Sequence, residues 1–211
     1  MSAPSFVLAS RSPRRRELLG RLGLDFTVDV ADVDESSLPG EPPEALVCRL
    51  CRAKAAAVAE HHPDAVVLAA DTIVVLDGVI LGKPRDPLEA VAMLSALRDR
   101  VHVVYTAVCV IHAGRAATRL SATGVTMRAY TDSEIKAYVE TGDPLDKAGA
   151  YGIQDPRFAP VAEWDGCYSA VMGLPLGLAA GLLAEAGVVA PQEVSAACRS
   201  ITGDRCCLAD E

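Results

Sequence analysis

No run of eighteen or more uncharged apolar residues occurs in this 211-residue chain, so no transmembrane helix is expected. The first ten residues hold no charged n-region and no cleavage-like site, which argues against a secretory signal and for a cytosolic protein. No G-x-G-x-x-G opens a helix after a strand, and G-x4-G-K-S/T is absent, so neither a dinucleotide fold nor a P-loop is supported. Cys48 and Cys51 form a single C-x-x-C, and no second C-x-x-C or H-x3-H supplies the other two ligands that zinc needs. Seven cysteines, an odd number, read as reduced thiols rather than as a disulfide frame. With 51% apolar and 23% charged residues, the composition is that of a globular chain and not of a disordered one.

A net charge of −8 argues against non-specific nucleic-acid binding. The distribution says more. Residues 1–22 hold five arginines against Glu17, a net +4, which leaves −12 on the remainder. A small basic patch on an acidic protein suits a compact anionic ligand better than a long polyanion.

Strands and helices are mixed along the chain. Residues 5–9 read as a short buried strand. Ser12 and Pro13 then cap and open a helix that Gly23 stops. Residues 25–30 read as a second strand, 32–43 as an acidic loop and 44–60 as a long helix. The β-branched run 65–76 is the pattern of a central strand, and Asp77-Gly78 turns it back into 79–81. A helix over 87–98 precedes two long strands, 101–112 and 116–128. Thr131 to Glu134 is a capping box that opens a further helix. Residues 143–153 read as a loop and then a short strand, 155–167 as irregular, and 174–186 as the last helix. Hairpins in the middle of the chain favour an α/β fold with a mixed twisted sheet.

Four segments stand out chemically. Ser10-Arg11-Ser12-Pro13-Arg14-Arg15-Arg16 lies between a strand and a helix. Hydroxyls, guanidiniums and a helix N-terminus could cradle phosphate there; the alternative is a capped surface helix with solvated arginines. Asp71 interrupts a buried apolar run, which is costly unless the charge is paired or used as a metal-bound carboxylate or general base. Lys83, between Gly82 and Pro84, could reach a phosphate or simply be solvated. The stretch from Asp146 to Gln154 is rich in small residues, and the Gln154 amide could read a base edge; it could also be only a Gly-rich turn with a charged pair. Glu35, in the acidic loop, is either a magnesium carboxylate or loop charge.

Together these segments resemble the Maf family of nucleotide pyrophosphatases. The matching stretches are 8–19, Ala70-Asp71-Thr72-Ile73-Val74, Gly82-Lys83-Pro84, Tyr105-Thr106-Ala107-Val108, 146–154 and Gly173-Leu174-Pro175-Leu176. The resemblance implies a two-lobed α/β fold like that of the inosine triphosphate pyrophosphatases, with the site in a central cleft. It implies a pyrophosphatase domain over residues 1–188; beyond it the chain turns polar and cysteine-rich, so residues 189–211 read as a loosely ordered C-terminal extension. The resemblance further implies a divalent metal, magnesium or manganese, a cytoplasmic homodimer, and cleavage of dTTP and UTP to the monophosphate and pyrophosphate. By that analogy Asp71 is the proton acceptor, with Lys83 beside it in catalysis. Arg14, Thr72 and Gln154 match positions linked to substrate choice; Ser10, Arg15, Lys54 and Lys147 complete the substrate-binding set. Glu35 and Asp71 would hold the metal.

The chain departs from the family at Ala53 in Ala53-Lys54-Ala55, at Asp155-Pro156 after Gln154, and at Cys167 in Gly166-Cys167-Tyr168. Asp155-Pro156 borders the expected base pocket and keeps a modified or purine nucleotide open as substrate. A nucleotide-binding regulator of cell division or shape would use the same cleft without turnover.

Overall fold

A computed structural model describes residues 4–203 and Cys207. Of the expected C-terminal extension, residues 204–206 and 208–211 lie outside the described residues. The strands are β1 (Phe6–Leu8), β2 (Thr27–Val28), β3 (Val66–Leu76), β4 (Val79–Leu81), β5 (Val101–His112), β6 (Arg115–Met127) and β7 (Val161–Asp165). They form one sheet in the order β2-β1-β3-β5-β6-β7, with β4 paired to β3. β1 runs parallel to β2 and β3, whereas the β3–β4, β3–β5, β5–β6 and β6–β7 pairs are antiparallel. This is the mixed sheet that the hairpins call for.

The pleat of β3 sorts its side chains onto two faces. Val66, Leu68, Ala70, Val74 and Leu76 enter the larger core, and Val67, Ala69, Ile73 and Val75 enter the smaller one. Asp71 therefore points to the smaller core's face and Thr72 to the larger core's face. Helix α1 (Pro13–Gly20) and helix α2 (Pro43–Ala59) each begin with proline at an N-terminal position, where a missing N–H costs nothing. In α2, Val47, Cys51, Ala55 and Val58 face the smaller core. Leu46, Leu50 and Lys54, spaced four apart, form the adjoining stripe.

One irregularity positions everything that follows. β1 pairs with β3 only over Val66, Leu68 and the residue between them, and β4 only over Val74 to Leu76. Residues 69–73 of β3 thus have β5 on one edge and a notch on the other. The Leu68 carbonyl accepts from Ala9 N, so it faces β1; alternation then turns the main-chain groups of Ala70 and Thr72 toward the notch.

Helices α3 (Pro87–Leu97), α4 (Asp132–Glu140), α5 (Tyr168–Val171), α6 (Leu176–Glu185) and α7 (Val194–Thr202) complete the described elements. Several expectations need correction. Only Thr27–Val28 pairs in the segment expected to run as a strand over 25–30, and both residues are exposed at the sheet's outer edge. The short strand expected near residue 153 is absent; two 3-10 turns, Asp143–Asp146 and Ala148–Ala150, occupy this stretch. Part of the segment read as irregular is β7. The tail is not without structure: α7 carries Val194, Ala197, Cys198 and Ile201 at helical spacing, and they pack on the larger core. Gln192 N donates to the Leu22 carbonyl, which ties this segment back to the end of α1.

Candidate functional site

A cleft of ≈ 640 Å³ opens at the notch. Ser10, Arg14, Arg15, Glu35, Lys54, Asp71, Thr72, Lys83, Lys147 and Gln154 all line it. They arrive from six separate segments: the β1–α1 turn, α1, the acidic loop, α2, the β3–β4 hairpin region and the 147–154 loop. Because the notch interrupts the sheet, Asp71 and Thr72 reach the same cleft from opposite faces.

The β1–α1 turn is built by local hydrogen bonds. Ser10 Oγ accepts from Ser12 N at 3.2 Å, and Ser12 Oγ caps α1 by accepting from Arg15 N at 3.4 Å. This aims Arg15 inward. Its Nε donates to the Gly173 carbonyl at 2.8 Å, and its terminal nitrogens donate to Ser10 Oγ and Thr72 Oγ1, each at 3.3 Å. Among the described residues no carboxylate forms an ion pair with Arg15. Burial lowers its pKa from the ordinary arginine value, while the charge of Asp71 opposes that shift. A guanidinium held only by neutral oxygens keeps its charge available to an anionic partner.

Asp71 is the charge that the apolar run predicted to be paired or used. Its Oδ1 accepts from Lys54 Nζ at 2.7 Å, and the same ammonium lies 2.7 Å from Glu35 Oε1. The Asp71 and Lys54 side chains are 13% and 17% exposed. The hydrogen bond from Lys54 holds the Glu35 carboxyl below the usual glutamate pKa. Cys51, one turn before Ala55, lies beneath Asp71's strand with Sγ 3.4 Å from the Ala69 and Ala107 carbonyls, and burial pushes its thiol pKa far up. It is a buried, inert thiol, as its place in an apolar helix face implies.

Lys147, also on the cleft, behaves differently from Arg15. Its Nζ donates to the Asp143 carbonyl, to Asp143 Oδ1 and to Asp146 Oδ1 at 2.5, 2.7 and 2.7 Å. The ammonium expected to bind substrate is thus engaged by its own loop, and its stem faces the cleft. Arg14 reaches across to Asp146 Oδ2 at 3.3 Å. Burial pushes the Asp146 pKa up, but Lys147 and Arg14 together carry it below the ordinary value. Tyr138 Oη donates to Asp143 Oδ2 at 2.7 Å and accepts from Gly152 N at 3.1 Å, which anchors the loop from below. A second anchor is Tyr151, whose Oη lies 2.7 Å from His102 Nε2. Gln154 rests beside Gly152: a Cβ on that glycine would stand 3.2 Å from Lys147 Cε and 3.3 Å from Gln154 Nε2.

Lys83 lines the cleft from an exposed position and forms no ion pair among the described residues. Glu35 and Asp71 are the carboxylates that could hold a metal, since both already converge on one cation. No group of three or more His, Cys, Asp or Glu suited to a metal occurs among the described residues. Two carboxylates with phosphate oxygens and waters completing an octahedron is the donor set magnesium accepts. Sequence reasoning passed over Asp143, and it named Thr106 and Gly173 only within matching stretches, without a role. Asp143 carries no local signal, and a threonine in a β-branched strand looks like ordinary strand composition.

The mixed α/β sheet is the one the motifs implied, and comparison with known proteins gives the family. The chain belongs to the family described as Maf-like protein, which it matches over residues 5–186. It is 52% identical over 190 residues to a dTTP/UTP pyrophosphatase of Myxococcus xanthus (strain DK1622), covering 90% of this chain and 96% of that one. It is 53% identical over 195 residues to a dTTP/UTP pyrophosphatase of Anaeromyxobacter dehalogenans (strain 2CP-C), covering 90% and 98%. Among solved structures, a HAM1 protein from Coxiella burnetii is 14% identical with a TM-score of 0.45, covering 94% of this chain and 93% of that one.

Proposed function

We propose that this protein hydrolyses nucleoside triphosphates, dTTP and UTP foremost, to the monophosphate and pyrophosphate. The observation that carries the reading is Arg15, a half-buried cation on the cleft wall with three neutral acceptors and, among the described residues, no carboxylate in ion-pair range. A triphosphate supplies the missing counter-charge. Lys83 stands on the same cleft without an ion pair and would take up the charge that develops on the leaving pyrophosphate.

Asp71 is the proton acceptor. Its Oδ1 is fixed by Lys54, so the other oxygen is placed to orient a water. The water oxygen attacks the α-phosphorus, the bond to the bridging oxygen of pyrophosphate breaks, and the water's proton passes to Asp71. Glu35 and Asp71 would hold magnesium or manganese, which supplies charge neutralisation to the phosphates when bound. Gln154 would meet the base; Thr72, expected there too, has its hydroxyl on Arg15 at 3.3 Å and sits with the phosphate-binding side chains. The Gln154 amide makes no side-chain hydrogen bond among the described residues, so it is available to a base edge. The support for dTTP and UTP is the pair of relatives bearing that name at about half identity over nearly the whole chain. A cytoplasmic homodimer completes the reading, on the family resemblance.

The test is pyrophosphate release from dTTP, UTP, CTP, methylated GTP and ITP with magnesium or manganese, for the wild type and Asp71→Asn. Release from dTTP and UTP that is lost in the variant supports the reading. A variant that keeps most of its turnover removes Asp71 as the base, and release from a purine nucleotide alone removes Gln154 as a pyrimidine reader.

A further inference from the structure

Thr106 lies on β5 opposite Thr72, is 0% exposed and does not line the cleft. Its Oγ1 is 2.8 Å from the Ala170 carbonyl and 3.0 Å from Thr72 Oγ1. A hydroxyl has one proton, and a carbonyl oxygen can only accept. Thr106 Oγ1 donates toward both oxygens, so its one proton is shared between the Ala170 carbonyl and Thr72 Oγ1. Thr72 Oγ1 also accepts from Arg15 at 3.3 Å. The same Ala170 carbonyl accepts from Gly173 N at 2.9 Å, and the Gly173 carbonyl accepts from Arg15 Nε at 2.8 Å. The contacts close on themselves. Arg15, Thr72, Thr106, Ala170 and Gly173 form one ring in which Thr106 is the buried apex and Arg15 the only member with a charge.

The ring fixes directions as well as distances. Thr72 Oγ1 accepts from both Thr106 and Arg15, so its two lone pairs are committed and it is held as the acceptor a guanidinium needs. Gly173, at φ 115°, adopts a backbone conformation that other residues rarely take, and this lets its carbonyl face Arg15. Two of Arg15's three hydrogen bonds thus depend on groups that Thr106 touches. We propose that Thr106 is a positioning residue for polyphosphate binding: it orients the Thr72 hydroxyl and the Ala170–Gly173 turn, and so holds the Arg15 fork toward the anion without touching it. This deepens the pyrophosphatase reading and rests on it for the identity of the anion.

The experiment measures calorimetric binding of inorganic pyrophosphate in magnesium buffer, alongside dTTP kinetics and melting temperature, for full-length wild type, Thr106→Val and Thr106→Ser. Valine keeps the shape and removes the hydroxyl. Its Kd for pyrophosphate and its KM should rise together by roughly tenfold, the scale of one oriented hydrogen bond to a charged group. Serine should return both to within about threefold of wild type. If valine does not fold, Thr106→Ala replaces it, and the Ala–Ser pair still differs by one hydroxyl. Wild-type affinity in the valine variant, or a serine variant as weak as valine, overturns the proposal, as does a loss confined to melting temperature. Wild type that binds pyrophosphate without turning over dTTP would sink the enzymatic reading while the Val–Ser comparison still decides the role of Thr106; no binding at all sinks both.

Discussion

Arg15 has three hydrogen-bond acceptors, all neutral; Lys147, on the same cleft, also has three, and two are carboxylate oxygens. The side chains are similar in size and charge, and both are drawn into the protein. What differs is where neutralisation comes from. Lys147 is neutralised by Asp143 and Asp146 of its own loop, with Arg14 adding to Asp146, so these four side chains balance their charges among themselves. Arg15 is left for a ligand to neutralise. Cationic residues on a cleft are therefore not interchangeable evidence for phosphate binding: the partner's charge decides which one is available.

The largest test of that contrast is removal of Arg15. Arg15→Met should lower kcat/KM for dTTP by about 100- to 1,000-fold, the loss typical of a preorganised charge-stabilising group. Arg15→Lys should recover only part of it, because an ammonium cannot reproduce the three-way fork. Initial rates of pyrophosphate release check both.

The second test is acid, aimed at the 147–154 loop. His102 is buried beneath Tyr151, and burial lowers its pKa to about 4 from the usual 6.5. The unfolded chain takes up the proton first as pH falls, so stability is present above pH 6.5 and is lost progressively between 6.5 and about 4. The loss is about 3 kcal/mol. Urea melts at pH 7 and pH 4.5 should show it, and His102→Gln should flatten it; an equal slope in both proteins assigns the acid sensitivity elsewhere.

Lys147→Met comes third. It should lower stability by about 1–2 kcal/mol, since the carboxylates left behind are partly exposed and partly rehydrated. The Kd for pyrophosphate should stay within about twofold of wild type. A rise comparable to that in Arg15→Met would break the comparison. The smallest effect belongs to Gly152→Ala. Its backbone is not in the left-handed region, and the added methyl meets only the ends of Lys147 and Gln154. The dTTP-to-CTP preference should shift by about threefold with little change in melting temperature, reflecting a displacement of Gln154 by a few tenths of an ångström.

Much of this was readable from the residues alone. Asp71 announces itself because a carboxylate in a β-branched run has to be paired or used, and the Ser12-Pro13 cap places the arginines at the mouth of a helix. The mixed sheet follows from the hairpins. What stayed hidden depends on contacts between distant segments. Nothing local distinguishes Arg15 from Arg14 and Arg16, since its isolation from carboxylates is set by Gly173, Thr72 and Ser10. Lys147 looks available until Asp143 is seen folding back on it. β7 escaped because its Glu163, Trp164 and Asp165 carry no apolar alternation on an edge strand. α7 was legible in principle through its Val194, Ala197, Cys198 and Ile201 spacing, but it follows a chain that had already turned polar.

An unpaired strand edge is ordinarily a liability, because it invites another chain to add a strand. In this protein the exposed stretch of β3 is closed at one end by β1 and at the other by β4. An intruding segment would have to enter broadside through a gap that the flanking strands delimit. The break in the ladder on which the proposed anion site stands is thus bounded on both sides by paired strand, which leaves little room for a polypeptide to add along β3.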